Sequence, residues 1–383
     1  PDVRRYCDRA MLIQDGLVIS KGKLPEVSAA PHSEGKINLK INVPESGKCY
    51  LKFIYHLKKE LPLLDEDHIL GFDEIEVSQK DAKCQLVEKW VEKTVTDSEL
   101  QVSEDDTQIH IKGREFAYTI DRRTALFTEM KFAGREYLNH PMELNIWRAP
   151  TDNDMYIKSE WKKAHYDKAY TRAYTTEVVQ GKHGVKITSH ASVVAETVQK
   201  ILDVTITWKI EAAGKIDADI AVTKDDEFPD LPRFGVRMFL DKKLSAARYF
   251  GMGPQESYCD KHQAASHGLY HANVDDLHED YIRPQENGSH YDCEYVELNN
   301  SRYGIVVSAE NAFSFNASYY TQEELEKKTH NYELTESDSV VFCVDYALNG
   351  IGSNSCGPVV LDQHRFDDVL FRFQFTLIPY VKG

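Results

Sequence analysis

The sequence predicts an all-β protein, a small β-sandwich followed by a large one, on three observations. Apolar and polar residues alternate with period two, strand-like segments recur about every ten residues, and helical patterns are few. A chain of 383 residues suggests two or three domains, and because a β-sandwich can run to roughly 250 residues, two is the better count. In chain order, Ile37–Val43 and Cys49–Tyr55 each place apolar side chains on one face, with turn residues Pro44–Lys48 between them. Further strands are expected at Gly71–Val77 and Gln85–Val91. The polar, acidic run Lys93–Thr107 reads as a linker, so the chain divides into a sandwich at 1–85, a linker at 86–106 and a large sandwich at 107–383. Strands of the second unit are expected at Ile109–Ile111, Phe116–Ile120, Val198–Ile210, Ile216–Val222, Phe234–Leu240, Ile305–Ala309, Val340–Tyr346 and Leu370–Leu377. Thr321-Gln-Glu-Glu324 has the pattern of a capping box and predicts a short helix to about Thr329, whereas Ser159–Ala173 suits a helix or a packed loop equally.

Composition narrows the function. Lys and Arg number 46 against 62 Asp and Glu, a net charge of −16 that repels phosphate backbones and anionic membranes. Neither nucleic acid nor a membrane is an expected partner, and no stretch approaches the roughly 18–20 apolar residues of a membrane span. The 21 Tyr suit strands and sugar-stacking surfaces alike. Cysteines 7, 49, 84, 259, 293, 343 and 356 form no C-x-x-C pair, which argues for buried free thiols over disulfides or zinc. The start at Pro1, without Met or an apolar signal core, reads as a piece of something larger.

Three clusters carry candidate chemistry. In Trp147-Arg-Ala-Pro-Thr-Asp-Asn-Asp154, Asp152 and Asp154 resemble metal ligands, but the third ligand and Gly of a calcium loop are missing. A tight turn with Arg148 paired to a carboxylate is the better reading. Glu256 and Glu286 each end a Pro-Gln-Glu triplet, and two glutamates are what a glycosidase needs; the alternative is that both are buried acceptors holding long loops. The Gly-rich stretch Gly350–Pro358 permits close approach of backbone to a ligand. No helix pattern follows it, and no His or Lys adjoins Cys356 to activate the thiol. The His residues show no ligand spacing, and the sequons at Asn287 and Asn316 are chance-level matches.

These segments, in this order, resemble the C-terminal part of the large bacterial β-galactosidases of glycoside hydrolase family 2. Trp147–Asp154 is similar to that family's Arg-Ala-Pro-x-Asp-Asn-Asp signature. Gly251–Tyr258, Pro284–Gly288, Phe315–Tyr320 and Gly350–Pro358 follow it as in the family. The resemblance spans essentially the whole chain. It implies an immunoglobulin-like domain, then a large sandwich of the galactose-mutarotase type. It places the nucleophile, the acid/base and the magnesium ligands in a preceding TIM barrel, so no catalytic residue and no cofactor is expected here. Arg148, Asp152, Asn153, Asp154, Glu256 and Glu286 then match structural positions. The loop Ser353, Asn354, Ser355, Cys356 reaches the substrate, with Cys356 at or beside the position of a sugar-stacking Trp in the best-known members. The implied partners are a β-galactoside, the chain's own barrel and further copies in a homo-oligomer. Two alternatives stand beside this. One is a mutarotase-like epimerase, although the His-x-Tyr/Phe-Asn-Leu-type segment of that family is not found. The other is a free-standing carbohydrate-binding or small-subunit module.

Overall fold

The computed structural model describes residues 7–25, 32–57, 59–80, 82–86, 100–197 and 200–382. Among them every strand pairing is antiparallel, and three sheets form. The first sheet contains β1 (Cys7–Gln14), β2 (Leu17–Lys23), β3 (Cys49–His56) and β4 (Ile69–Glu76), in the order β2-β1-β3-β4. A second, meandering sheet contains β5 (Gln101–Glu104), β6 (Gln108–Lys112), β7 (Phe116–Asp121), β8 (Leu126–Phe132) and β9 (Arg135–Glu136). The third and largest has twelve strands. They are β10 (Leu138–Asn145), β11 (Tyr170–Gln180), β12 (Gly184–Val194), β13 (Leu202–Glu211), β14 (Ile216–Lys224), β15 (Arg233–Asp241), β16 (Ala246–Gly253), β17 (Ser266–Asn273), β18 (Ser289–Asn299), β19 (Tyr303–Ser318), β20 (Ser339–Leu348) and β21 (Leu370–Val381). Helices are short: α1 (Ile157–Lys163) and α2 (Gln322–Lys327), the latter capped by Thr321 Oγ1 accepting from Glu324 N–H at 3.1 Å. No helix among the described residues is long and apolar enough to cross a membrane.

Alternation builds the core. On β13, Leu202, Val204, Ile206, Trp208 and Ile210 are buried while Asp203 and Lys209 face water. Val204 and Ile206 lie opposite Val222 and Ile220 of β14, where the same period holds. The five-stranded sheet closes over this face. Trp208 Nε1 donates to Ala125 O at 2.8 Å, Tyr118 Oη to Gly214 O at 2.7 Å, and Phe127 meets Trp208 edge-on at 4.9 Å. On β15 eight of nine residues are buried, as suits a strand covered on both faces.

Three sequence-based expectations differ from the structure. Ile37–Val43 forms no strand, and Ile37 and Ile41 are exposed; β3 pairs instead with β1 and β4. Alternation marks two faces, but only a neighbouring backbone makes a ladder. The stretch 86–106, read as linker, contains β5, whose polar residues suit an edge strand. Gln85 and Leu86 sit in a turn, and residues 87–91 of that expected strand lie outside the described residues. Of the cysteines whose side chains are described, 49, 84, 293 and 343 are buried, 259 is partly buried and 356 is exposed, all as free thiols.

The first sheet is fixed to the large sandwich by a buried histidine. His267 of β17 places Nδ1 2.7 Å from Glu74 Oε1 of β4 and Nε2 3.0 Å from Asp292 Oδ2 of β18. Its ring stacks on Tyr50 of β3 at 4.2 Å, and Lys52 Nζ donates to Ser266 Oγ at 2.6 Å alongside. Burial opposes the imidazolium, but hydrogen bonds and charge from Asp292 and Glu74 outweigh it and raise the pKa from 6.5 to about 9. Folding therefore takes up a proton. The stabilisation is complete below the unfolded value near 6.5 and is lost as pH climbs through 9. Amide exchange of β3 and β4, followed from pH 6 to pH 9.5 or so, is expected to accelerate beyond its intrinsic rise in the native chain, and not in His267→Gln. Parallel profiles would refute the linkage.

Candidate functional site

Three segments far apart in sequence meet at one end of the large sheet, and strand order is the reason. β15 lies between β10 and β20, and β20 pairs on to β19, with Asn145 opposite Gly235 and Arg233 opposite Leu348. β19 in turn carries Asn316 opposite Ser289, the first residue of β18. The segments leaving these strand ends, 146–154, 283–288 and 349–358, are thus neighbours.

Arg148 is fully buried and grips Asp154 with two bonds, Nε to Oδ2 at 3.1 Å and Nη2 to Oδ1 at 2.7 Å. Asp154 Oδ2 also accepts from Thr151 N–H at 2.9 Å and Thr151 Oγ1 at 3.1 Å, which closes the turn. The remaining Arg148 donors go to the carbonyls of Asn349 and Gly350, the latter at 3.1 Å, and so hold the root of the Gly-rich loop. Asp152 and Asn153 point elsewhere. Asp152 N–H donates to Gln285 Oε1 at 3.1 Å. Asn153 Nδ2 donates to Gly352 O at 2.8 Å, and its Oδ1 accepts from Ser355 Oγ at 2.8 Å. Of the pair that resembled metal ligands, Asp154 closes the turn and Asp152 meets Gln285, while Asn153 between them clamps the loop.

The glutamates are committed as well. Glu286 Oε1 accepts from Arg233 Nη1 at 3.0 Å, and its own N–H donates to Ala149 O at 3.0 Å. Arg233 is also bidentate to Asp345. Gly235 allows this approach, since a Cβ there would lie 2.2 Å from Val344 O and 2.5 Å from Asp345 Oδ1. Burial pushes the Glu286 and Asp345 carboxyls up, against the pull of Arg233. Glu256 accepts from Gly288 N–H at 2.9 Å and from Lys261 and Tyr281. Both sequon asparagines are buried, and Asn316 Nδ2 donates to Asn287 O, so neither offers its amide for glycosylation in the folded chain.

The loop itself is presented to solvent. Ser353, Ser355 and Cys356 are exposed and Asn354 is half-buried in the turn, which Gly357 N–H closes onto Ser353 O at 2.7 Å. Gly352 sits at φ +64°, where a Cβ is disfavoured. Sequence reasoning missed Asp260, whose carboxylate accepts from Ile351 N–H at 2.9 Å and Gly352 N–H at 2.7 Å. An Asp before a Lys reads as surface, and only the register of two distant loops reveals its role. Arg233 and Asp345 were missed because each lies inside an apolar strand pattern. Among the described residues no group of three His, Cys, Asp or Glu could hold a metal ion. The arrangement fixes a polar loop through its backbone and the Ser355 hydroxyl and leaves Ser353, Ser355 and Cys356 exposed to solvent.

Fold and site together define an all-β protein whose signature residues support a presented loop. The chain belongs to the beta galactosidase small chain family, whose model matches residues 112–377. It is 42% identical over 96% of its length to a β-galactosidase of Actinobacillus pleuropneumoniae, and 30% identical over 95% to one of Staphylococcus xylosus. It spans only 35% and 36% of these relatives. A galactose 1-epimerase from Lactobacillus acidophilus NCFM aligns over 76% of this chain and all of its own at 8% identity, with a TM-score of 0.41.

Arg148→Met is expected to cost about 3–5 kcal/mol, because Asp154 would be left charged and buried without its partner; the urea midpoint reports it. Asn153→Ala removes only the clamp on Gly352 and Ser355. The melting temperature should hold within a few degrees while amide exchange at Gly352–Cys356 accelerates. Unchanged exchange would remove Asn153 as the clamp.

Proposed function

We propose that the chain is the C-terminal accessory part of a retaining glycoside hydrolase family 2 β-galactosidase that hydrolyses terminal, non-reducing, lactose-like β-D-galactosides. Its role is to shape the rim of the active site with Ser353, Asn354, Ser355 and Cys356 and to contribute contacts in a homo-oligomer. One observation carries the reading. In a chain of this family, the buried or half-buried carboxylates of the signature motifs are tied to structural partners, Asp154 to Arg148, Glu286 to Arg233 and Glu256 to Gly288, Lys261 and Tyr281, and the exposed Asp152 meets only the Gln285 amide. A glycosidase needs two carboxyl groups facing the scissile bond across roughly 5–10 Å of open site. Those groups, and any magnesium, belong to a separate catalytic barrel. The rim loop supplies hydroxyl, amide and thiol groups to the sugar in the shallow position.

The family description, a small chain, favours a second arrangement of the same function: a separately encoded subunit that pairs with a catalytic chain. Copurification of a catalytic partner with a tagged chain separates the two.

The purified chain is expected to leave a nitrophenyl β-galactoside intact, and activity should appear only with the catalytic barrel. In that complete enzyme, Cys356→Trp is expected to lower KM, or the inhibition constant of a glucose-like or aromatic ligand, by about fivefold, since an added aromatic platform contributes on the order of 1 kcal/mol. Identical constants for native and Trp variants would remove this loop from the site.

A further inference from the structure

Away from the rim loop, two open cavities flank one point of β18. The first, about 320 Å³, is lined by Tyr291, Ser314, Tyr346, Gln363 and Asp368 among others. The second, about 650 Å³, lies between the first sheet and the large sandwich and is lined by Phe72, Glu74, Glu76, His262 and Gln263 among others. Asp292 belongs to both walls. Tyr291 of the first cavity stacks against His262 of the second at 5.7 Å. Both volumes fall in the range of roughly 300–1,000 Å³ typical of small-ligand sites.

The dividing point is shaped unusually for a strand. The register of β18 against β19 shifts between His290 and Cys293 and again before Tyr295, and Asp292 adopts φ +55°. A bulge of this kind re-aims side chains, and a left-handed Asp within a strand is conformational strain held by its surroundings. Here the strain turns Tyr291 and Asp292 towards the two cavities.

The lining selects the ligand chemistry. Half-buried tyrosine rings at 291 and 346 offer apolar faces, and Asp292, Asp368, Glu74, Glu76, Gln263 and Gln363 offer acceptors for hydroxyl groups. The cations nearby are engaged: Arg365 pairs with Asp230 at 2.7 Å, and His267 is held between Glu74 and Asp292. An anionic ligand would meet a lining in which carboxylates outnumber the cations and already pair with them. The first cavity also touches the root of the rim loop, because His364 in its wall accepts from Gly350 N–H at 2.8 Å.

We propose that these cavities form one groove, divided at Tyr291 and Asp292, that holds a neutral oligosaccharide by ring stacking and by hydrogen bonds from sugar hydroxyls to carboxylates and amides. The choice of a sugar among neutral ligands rests on the β-galactosidase reading, while the groove is a property of the chain itself.

Titration calorimetry or ligand-observed NMR on the 383-residue chain tests it, with β-1,4-galactotetraose as probe and a galacturonic acid tetramer as anionic control. Saturable binding of the neutral probe, with the uronate at least about tenfold weaker, is expected. Tyr291→Ala and the exposed Gln363→Ala should each weaken binding about fivefold with the fold intact by circular dichroism. Tyr332→Ala, exposed and outside the groove, should leave binding unchanged. Absence of saturable binding, equal binding of the uronate, or indifference to both groove variants overturns the proposal. The assay involves no hydrolysis, so failure here leaves the galactosidase reading to stand or fall on the activity measurements.

Discussion

Two fully buried arginines, Arg148 and Arg233, hold one end of the large sheet together. Taking a guanidinium out of water is costly, and that cost is offset only where each of its nitrogens finds a well-placed acceptor. Arg148 meets this with Asp154 and two loop carbonyls, Arg233 with Asp345 and Glu286. Each therefore imposes a geometry on segments remote in sequence, and neither can be relaxed without leaving a charge stranded. The loop at 349–358 inherits its position from that requirement.

The same constraint commits one of the two motif glutamates. A general acid or nucleophile must face substrate, and Glu286 faces Arg233 instead, at 1% side-chain exposure. The loop, by contrast, is held through its backbone by Arg148, Asn153 and Asp260. Ser355 adds a hydroxyl bond to Asn153, whereas Cys356 stays exposed. A position such as Cys356 can then vary in character without disturbing the support beneath it.

The same economy governs the join between the first sheet and the sandwich. His267 carries a proton between carboxylates from two sheets, and one of them, Asp292, sits on the bulge that divides the two cavities. Adhesion between the units and the shape of the groove thus share a residue. A ligand across that divide would feel the state of the join, and the join would feel the ligand.

Much of the fold was legible in the sequence, because alternation is a local property. Leu202–Ile210 and Ile216–Val222 show their buried faces residue by residue, and Thr321 announces its helix. The signature motifs likewise marked Arg148, Asp154, Glu256 and Glu286 as structural. Alternation misled at Ile37–Val43, where no described partner completes a ladder, and polarity misled at Gln101–Glu104, an edge strand that needs little burial. What only the tertiary structure decided is which residues touch: Asp260 beneath the loop, Asp345 against Arg233, His267 between two sheets. Periodicity assigns a residue to a face. Pairing across 90 to 200 positions is set by strand order and register, which no short stretch of sequence contains.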